Sequence, residues 1–282
     1  MTVSSMDEAV TQALGAVRSA GTPDPDLLLF PATGTTGLIE ALESGVKLEF
    51  ADVAGAPDAY RDLALYAGSL GSSSVWIIED APNGRAGDAA WTRAFPVWLA
   101  AAAGARFLIH TSAGTALDEE VTRPESIVRA TDHINLSGTT PLLGLGKSRF
   151  GPLFPDQTRV HDEKLAELAR SVAQSEGIEL QAAVVACTIG PALSTPAEMG
   201  SYRLAGAGIA VQRLSDPLIA SAHAGLGVLS LTAITDLASE QLGIADMVLR
   251  ASRVAPSLDR LVTRIAAEAG ALVAVRREET PA

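Results

Sequence analysis

Short apolar runs of strand length alternate with helix-period stretches along this chain, and that alternation constrains its fold more than any other feature. Residues 27–30 (closed by Pro31), 75–78, 107–110, 126–134, 180–188, 209–211 and 227–235 read as strands. Residues 6–19, with Val10, Leu14 and Val17 at helical spacing, and residues 92–103, 162–176, 197–205, 217–224 and 246–269 read as helices. The run 180–188 is apolar and β-branched, which suits a central strand. Strands alternating with helices predict an α/β fold, a mixed twisted sheet with helices on both faces. No composition break marks a boundary within the 282 residues, so residues 1–282 are expected to form a single domain. Only residues 1–5 and 276–282 read as frayed ends.

Composition narrows the partners. The chain is 48% hydrophobic and 19% charged, which supplies a core and disfavours disorder. Its net charge of −12 repels nucleic acid and anionic membranes, so neither is expected as a partner. The single cysteine, Cys187, lies in the apolar run 182–189 and is expected to be a buried small hydrophobe in a reducing compartment. Asp7 and Glu8 stand where a secretory signal has basic residues, and no apolar run reaches membrane-spanning length; a soluble cytoplasmic protein is expected.

Three local patterns imitate functional motifs. Gly146-Lys147-Ser148 looks like the end of a phosphate-binding P-loop, but Pro141 occupies the place of its first glycine. Gly206-Ala207-Gly208 follows a helical stretch rather than a strand and reads as a helix stop, not a dinucleotide fingerprint. His110, His133, His161 and His223 show no i, i+4 pairing and no cysteine partners, so no metal site is expected; His133 is expected to make structural hydrogen bonds.

Asp132-His133-Ile134-Asn135-Leu136, Gly138, Thr140-Pro141-Leu142-Leu143-Gly144, Arg149-Phe150-Gly151, Phe154-Pro155 and His161-Asp162 form an ordered series. It resembles the middle of the trimeric purine nucleoside phosphorylase family, where the last pair is Tyr-Asp. Trp91 to Val97, Ile109 to Leu117, Gly190 to Glu198, His223 to Leu226 and Ala233 to Asp236 resemble further segments of that family. The resemblance covers roughly residues 25 to 265. It implies the nucleoside phosphorylase fold and a homotrimer with sites near subunit interfaces. It also implies phosphate as a co-substrate that attacks the anomeric carbon of a purine-type nucleoside, with no other cofactor.

The residues that match the family's site positions are mostly altered. On the phosphate side, Thr33 keeps a hydroxyl in the glycine-rich loop and the amide of Ala113 is retained, while Ala81 and Asn83 stand where the family has Arg and His. Arg85 replaces a Tyr; it either swings in as a substitute cation or stays in a solvated loop. On the base and ribose side, Leu193 and Ser194 replace Phe and Glu, and Arg213 replaces a Met in the sugar–base cleft. Arg213 is expected to pair with Asp216. Thr235-Asp236 replaces Thr-Asn. An Asp there resembles the methylthioadenosine phosphorylase branch, where a carboxyl group meets a 6-amino purine; Asp236 alternatively caps a helix over 237–242. Phe150 either covers the ribose of a neighbouring subunit or packs in its own core.

Asp236 and Arg85 are therefore the candidate catalytic residues. Three readings remain open: a divergent phosphorylase with weak turnover of inosine and guanosine, a nucleoside hydrolase-type variant, and a non-catalytic small-molecule-binding or structural homologue.

Overall fold

The computed structural model describes residues 5–31, 36–79, 88–118, 122–240 and 242–279. In chain order the elements are α1 (Met6–Ser19), β1 (Leu27–Pro31), α2 (Thr36–Glu40), β2 (Glu43–Glu49), β3 (Ala64–Leu70), β4 (Ser73–Ile78) and α3 (Phe95–Ala103). There follow β5 (Phe107–Ala116), β6 (Ile127–Asn135), α4 (Glu163–Ser175), β7 (Leu180–Thr188), α5 (Pro196–Leu204), β8 (Ile209–Gln212) and α6 (Ser215–Ala224). The chain continues through β9 (Gly227–Leu237), α7 (Ile244–Glu268) and α8 (Gly270–Glu279).

All strands belong to one mixed sheet in the order β2-β3-β4-β1-β5-β8-β7-β6-β9. β9 also pairs with β5, so β5, β8, β7, β6 and β9 close into a ring while β1 to β4 extend from it as an open arm. The β1 side chains show why helices cover both faces. Leu28 and Phe30 point into a core formed with α1, α3 and α6; Leu27 and Leu29 point into another formed with α4 and α7. Period-two alternation of an all-apolar strand buries both of its faces.

Local chemistry explains the helix ends. α1 begins at a reciprocal capping box, with Ser5 Oγ accepting from the Glu8 amide and Glu8 accepting from the Ser5 amide. The expected helix over 92–103 splits: residues 90–94 form a 3-10 turn, and α3 starts at Phe95 with Pro96 in its first turn. Gly206 ends the α5 segment with a φ of 98°, as its glycine stop requires.

Three expectations are corrected, and two strands are added. Residues 237–242 hold no helix among those described; β9 runs to Leu237, so Asp236 is a strand residue rather than a helix cap. The C-terminal stretch is not frayed through residue 279, because α8 is tied to the body. Arg276 Nη1 donates to Asp162 Oδ2 at 2.6 Å, its guanidinium lies over the Phe107 ring, and Lys164 pairs with Glu279. Ser5 is likewise held, by its capping box. Strands β2 and β3 had no signal in the alternation pattern, since β2 is almost wholly exposed and β3 carries Gly68 where Glu43 and Gly45 approach closely.

Candidate functional site

Two adjoining clefts open at the end of the strand ring, sharing Thr188 and Gln212 as a common wall. The larger, about 460 Å³, is lined by Leu193, Ser194, Asp236, Thr115, Glu240 and Met247 among others. Its neighbour, about 330 Å³, is lined by Arg93, Arg213, Asp216, Ser137 and Thr139 among others. Both fall in the size range of small-molecule sites.

Asp236 is placed by a β-bulge. β5 and β9 run in register up to Gly114 opposite Ile234, and then the register shifts so that Thr115 faces Asp236 and Thr235 is the extra residue. The shift brings Thr115 Oγ1 within 2.8 Å of Asp236 Oδ2, to which it donates. Thr235 Oγ1 donates to Asp236 Oδ1 at 2.7 Å and also lies 3.3 Å from the Gly114 carbonyl. Gly114 is required at this crossing, since a Cβ would meet the Ala210 carbonyl and the side chains of Thr232 and Val211. Burial pushes the Asp236 carboxyl above the usual carboxylate range, and the two threonine hydroxyls oppose that by favouring the ionised form. At the rim of the cleft Glu240 forms a two-pronged ion pair with Arg250, whose Nη1 also donates to the Thr235 carbonyl.

Ser194 Oγ lies 3.4 Å from the Tyr202 hydroxyl, and Leu193 is about half exposed above it. The turn entering this segment holds Gly190 at a φ of 66°, where a Cβ would run into the Gln212 side chain. That approach lets Gln212 Nε2 donate to the Ala192 carbonyl and fix the wall.

In the neighbouring cleft Arg213 sits at the end of β8 with a φ of 64°, its amide donating to the Thr188 carbonyl at 2.7 Å. The expected Arg213–Asp216 pair does not form. Asp216 is taken by Arg93 instead, through Nε at 2.8 Å and Nη2 at 3.4 Å, and Nη2 also donates to Thr139 Oγ1. A bidentate guanidinium outcompetes a neighbour three residues away whose backbone turns through the left-handed region.

The expected site residues therefore divide. Leu193, Ser194 and Asp236 meet in one cleft, Thr235 stands buried behind Asp236, and Arg213 lines the adjoining cleft. Ala113 is half-buried on β5 opposite Ala233 and lines neither. Phe150 packs against its own core beneath the Arg149 guanidinium. Thr33, Ala81, Asn83 and Arg85 lie outside the described residues. Sequence reasoning missed Thr115, Thr188, Gln212 and the Arg93–Asp216 pair. Arg93 falls inside the Trp91 to Val97 family-like segment, which was the available signal.

The histidines differ from expectation in one respect. His223 accepts from Trp98 Nε1 at 3.0 Å, and His110 is buried edge-on to Phe30, but His133 Nδ1 and His161 Nε2 come within 3.1 Å of one another. Asp132 stands beside them, and the three offer ligand atoms within 4.8 Å of one another. Cys187 is buried as expected, its thiol pushed up to about 12.

Comparison with known proteins agrees with this architecture. The phosphorylase superfamily model matches residues 32–267. This chain is a member of that superfamily, in its nucleoside phosphorylase family. A purine nucleoside phosphorylase 1 from Geobacillus stearothermophilus is 27% identical over 257 residues, covering 90% of this chain and 92% of that one. Another from Bacillus subtilis is 29% identical over 247 residues, covering 86% and 90%. The solved structure of isoform 2 of purine nucleoside phosphorylase from Schistosoma mansoni, in complex with cytosine and ribose-1-phosphate, superposes with a TM-score of 0.83. It shares 22% identity, covers 94% of this chain and 98% of that one, and supports the fold. No helix among the described residues is long and apolar enough to cross a membrane.

Proposed function

We propose that this chain cleaves the N-glycosidic bond of a purine-type nucleoside by phosphorolysis, as a single-domain, cytoplasmic homotrimer. Family membership supports the reaction class, and the placement of Asp236 carries the assignment of the site. A departing purine gathers negative charge, and a group that donates a proton or a hydrogen bond to it lowers the barrier. Asp236 is held by two threonine hydroxyls on a bulged strand, and burial favours its protonated form. It is suited to donate to the leaving base when protonated and to accept from a 6-amino group when ionised.

In this reading phosphate is the co-substrate. We assign the anion side to Thr33, Arg85 and the amide of Ala113, which lies outside the two clefts, and the sugar to Arg213, which lines the adjoining cleft. Phe150 is only partly buried against its own core, and in this reading it covers the ribose of a neighbouring subunit. Inosine and guanosine are turned over weakly, because Ser194 offers a hydroxyl where the family has a carboxylate and because Ala81 and Asn83 cannot bind phosphate as Arg and His do. The test is base release from adenosine-type, inosine and guanosine substrates, with and without phosphate. Phosphate-dependent release of ribose 1-phosphate supports the proposal. Phosphate-independent release assigns a hydrolase, and absence of both turnover and ligand-induced thermal stabilisation assigns a non-catalytic protein. Turnover of inosine or guanosine on the order of 10 s⁻¹ overturns the substrate preference.

A further inference from the structure

His133 and His161 are 28 residues apart, yet the fold fixes both backbones independently. His133 lies on β6 opposite Val185 of β7, just past a register shift between Ala130 and Asp132 that leaves Thr131 as the extra residue. A bulge re-aims the side chains that follow it. His161 is held by a bridge to Val228, with the Val228 amide donating to the Val160 carbonyl and the Asp162 amide donating to the Val228 carbonyl. Asp162 is anchored in turn, because it caps α4 and takes Arg276.

Most buried histidine pairs belong to a satisfied hydrogen-bond network. This one does not close. His161 Nδ1 is buried without a hydrogen-bond partner among the described residues. Neutral imidazole is the form that ligates metals. Two nitrogens bound to one Zn²⁺ at about 2.0–2.1 Å and a tetrahedral angle stand about 3.4 Å apart, so the rings need open by only ~0.3 Å. The ring centroids stand 5.3 Å apart with the rings inclined at 61°. Asp132 supplies a carboxylate at the mouth, where its side chain is 75% exposed, with Oδ1 4.0 Å from His133 Nδ1. Arg129 adds a positive charge near His161. Two imidazoles and one carboxylate favour a borderline ion held chiefly through nitrogen over Mg²⁺ or Ca²⁺.

We propose that His133, His161 and Asp132 form a binding site for a divalent transition metal of the zinc class, apart from the two clefts and independent of the reaction assigned to them. The expectation that the histidines would not bind metal rested on sequence spacing. That spacing fails here because one ligand pair comes from a bulged strand and the third ligand from the segment leading into α4. Where the related family carries Tyr before the Asp, this chain carries His161, so His161→Tyr is the substitution best suited to keep the fold.

The test uses the untagged full-length protein after chelator treatment, titrated with ZnCl₂ and with CoCl₂. One equivalent is expected to bind, raising Tm in a concentration-dependent way and giving the Co²⁺ adduct a visible absorption that Zn²⁺ displaces. His161→Tyr is expected to weaken Zn²⁺ binding by roughly a hundredfold or more, since removing a ligand exceeds the 10–100-fold typical of its outer-shell partners. Asp132→Asn, at an exposed position, is expected to weaken it by about tenfold. Absence of a Zn²⁺-dependent heat and Tm shift in the wild type, or equal affinity in both variants, overturns the proposal.

Discussion

Thr115 donates its hydroxyl to Asp236 across 2.8 Å because the bulge at Thr235 moves β9 one residue out of step with β5. Without the shift, Thr115 would face Thr235 and the carboxylate would lie on the other side of the pleat. A register defect between two neighbouring strands thus sets the orientation of the acid at the cleft floor. Asp236→Asn keeps the shape and removes the transferable proton. A loss of about 10²–10⁴ in kcat/KM is expected for the best purine nucleoside, the usual range for a positioned acid, with little change in Tm. Steady-state kinetics together with a thermal melt check this.

Thr115→Val tests the same pair differently. The hydroxyl favours the ionised carboxylate, so its removal moves the Asp236 pKa further up. If the protonated acid serves the leaving base, activity falls as pH rises through that pKa. The alkaline limb of kcat/KM is therefore expected to move to higher pH in the variant. A limb that stays in place detaches Asp236 from the profile.

Arg93 and Asp216 form an ion pair in the adjoining cleft, with side chains 25% and 8% exposed. Arg93→Ala strands a nearly buried carboxylate and unties Thr139 from the cleft wall. Breaking a buried pair from one side costs about 3–5 kcal/mol, and the partial exposure of Arg93 places the expected loss at the lower end. Urea denaturation measures it. A change below about 1 kcal/mol would class the pair with ordinary surface bridges.

The sequence shows the alternation of elements and the family clearly, because apolar runs such as Leu180–Thr188 announce themselves locally. The site is less legible, because its geometry depends on events between distant strands. The Thr235 bulge, the Gly190 approach to Gln212 and the choice of Arg93 over Arg213 by Asp216 are decided by register and backbone direction. No window of residues carries them. The exposed edge strand β2 was invisible for a different reason: it buries almost nothing, so it leaves no hydrophobic period.

Acid sensitivity follows from the buried imidazoles. His110 is pushed down to about 3 by burial, with the Arg213 charge acting in the same direction. Its folded-state pKa lies below that of the unfolded chain, so the unfolded chain takes up the proton first as pH falls. Stability is full above about pH 6.5 and declines below it, approaching roughly 1.4 kcal/mol per pH unit for this one group. His133, His161 and His223 are pushed the same way, mainly by burial, and add to the slope. Because His110 Nδ1 has no hydrogen-bond partner among the described residues, His110→Leu sacrifices no bond to them at that atom. The variant is expected to show an acid limb shallower by about one proton in urea titrations at pH 7, 6 and 5.

The last expectation concerns assembly. Phe154 is 88% exposed, and Leu136, Leu143 and Leu153, on the same segment between β6 and α4, are also exposed. Large apolar side chains left in water are unfavourable for an isolated chain, and in the proposed assembly this segment would be covered. This segment carries the family-like Arg149 to Pro155 motif, and the proposed trimer would cover it with a neighbouring subunit. Phe154→Asp places a charge on that segment at a residue outside the buried core clusters. Light scattering is expected to give a trimer mass for the wild type and a smaller species for the variant at micromolar concentration, with far-ultraviolet circular dichroism unchanged. If Phe150 must come from a neighbouring subunit, nucleoside turnover falls in parallel with the loss of assembly and recovers as protein concentration rises. A variant that becomes monomeric and keeps full turnover would show that each cleft is complete within one chain.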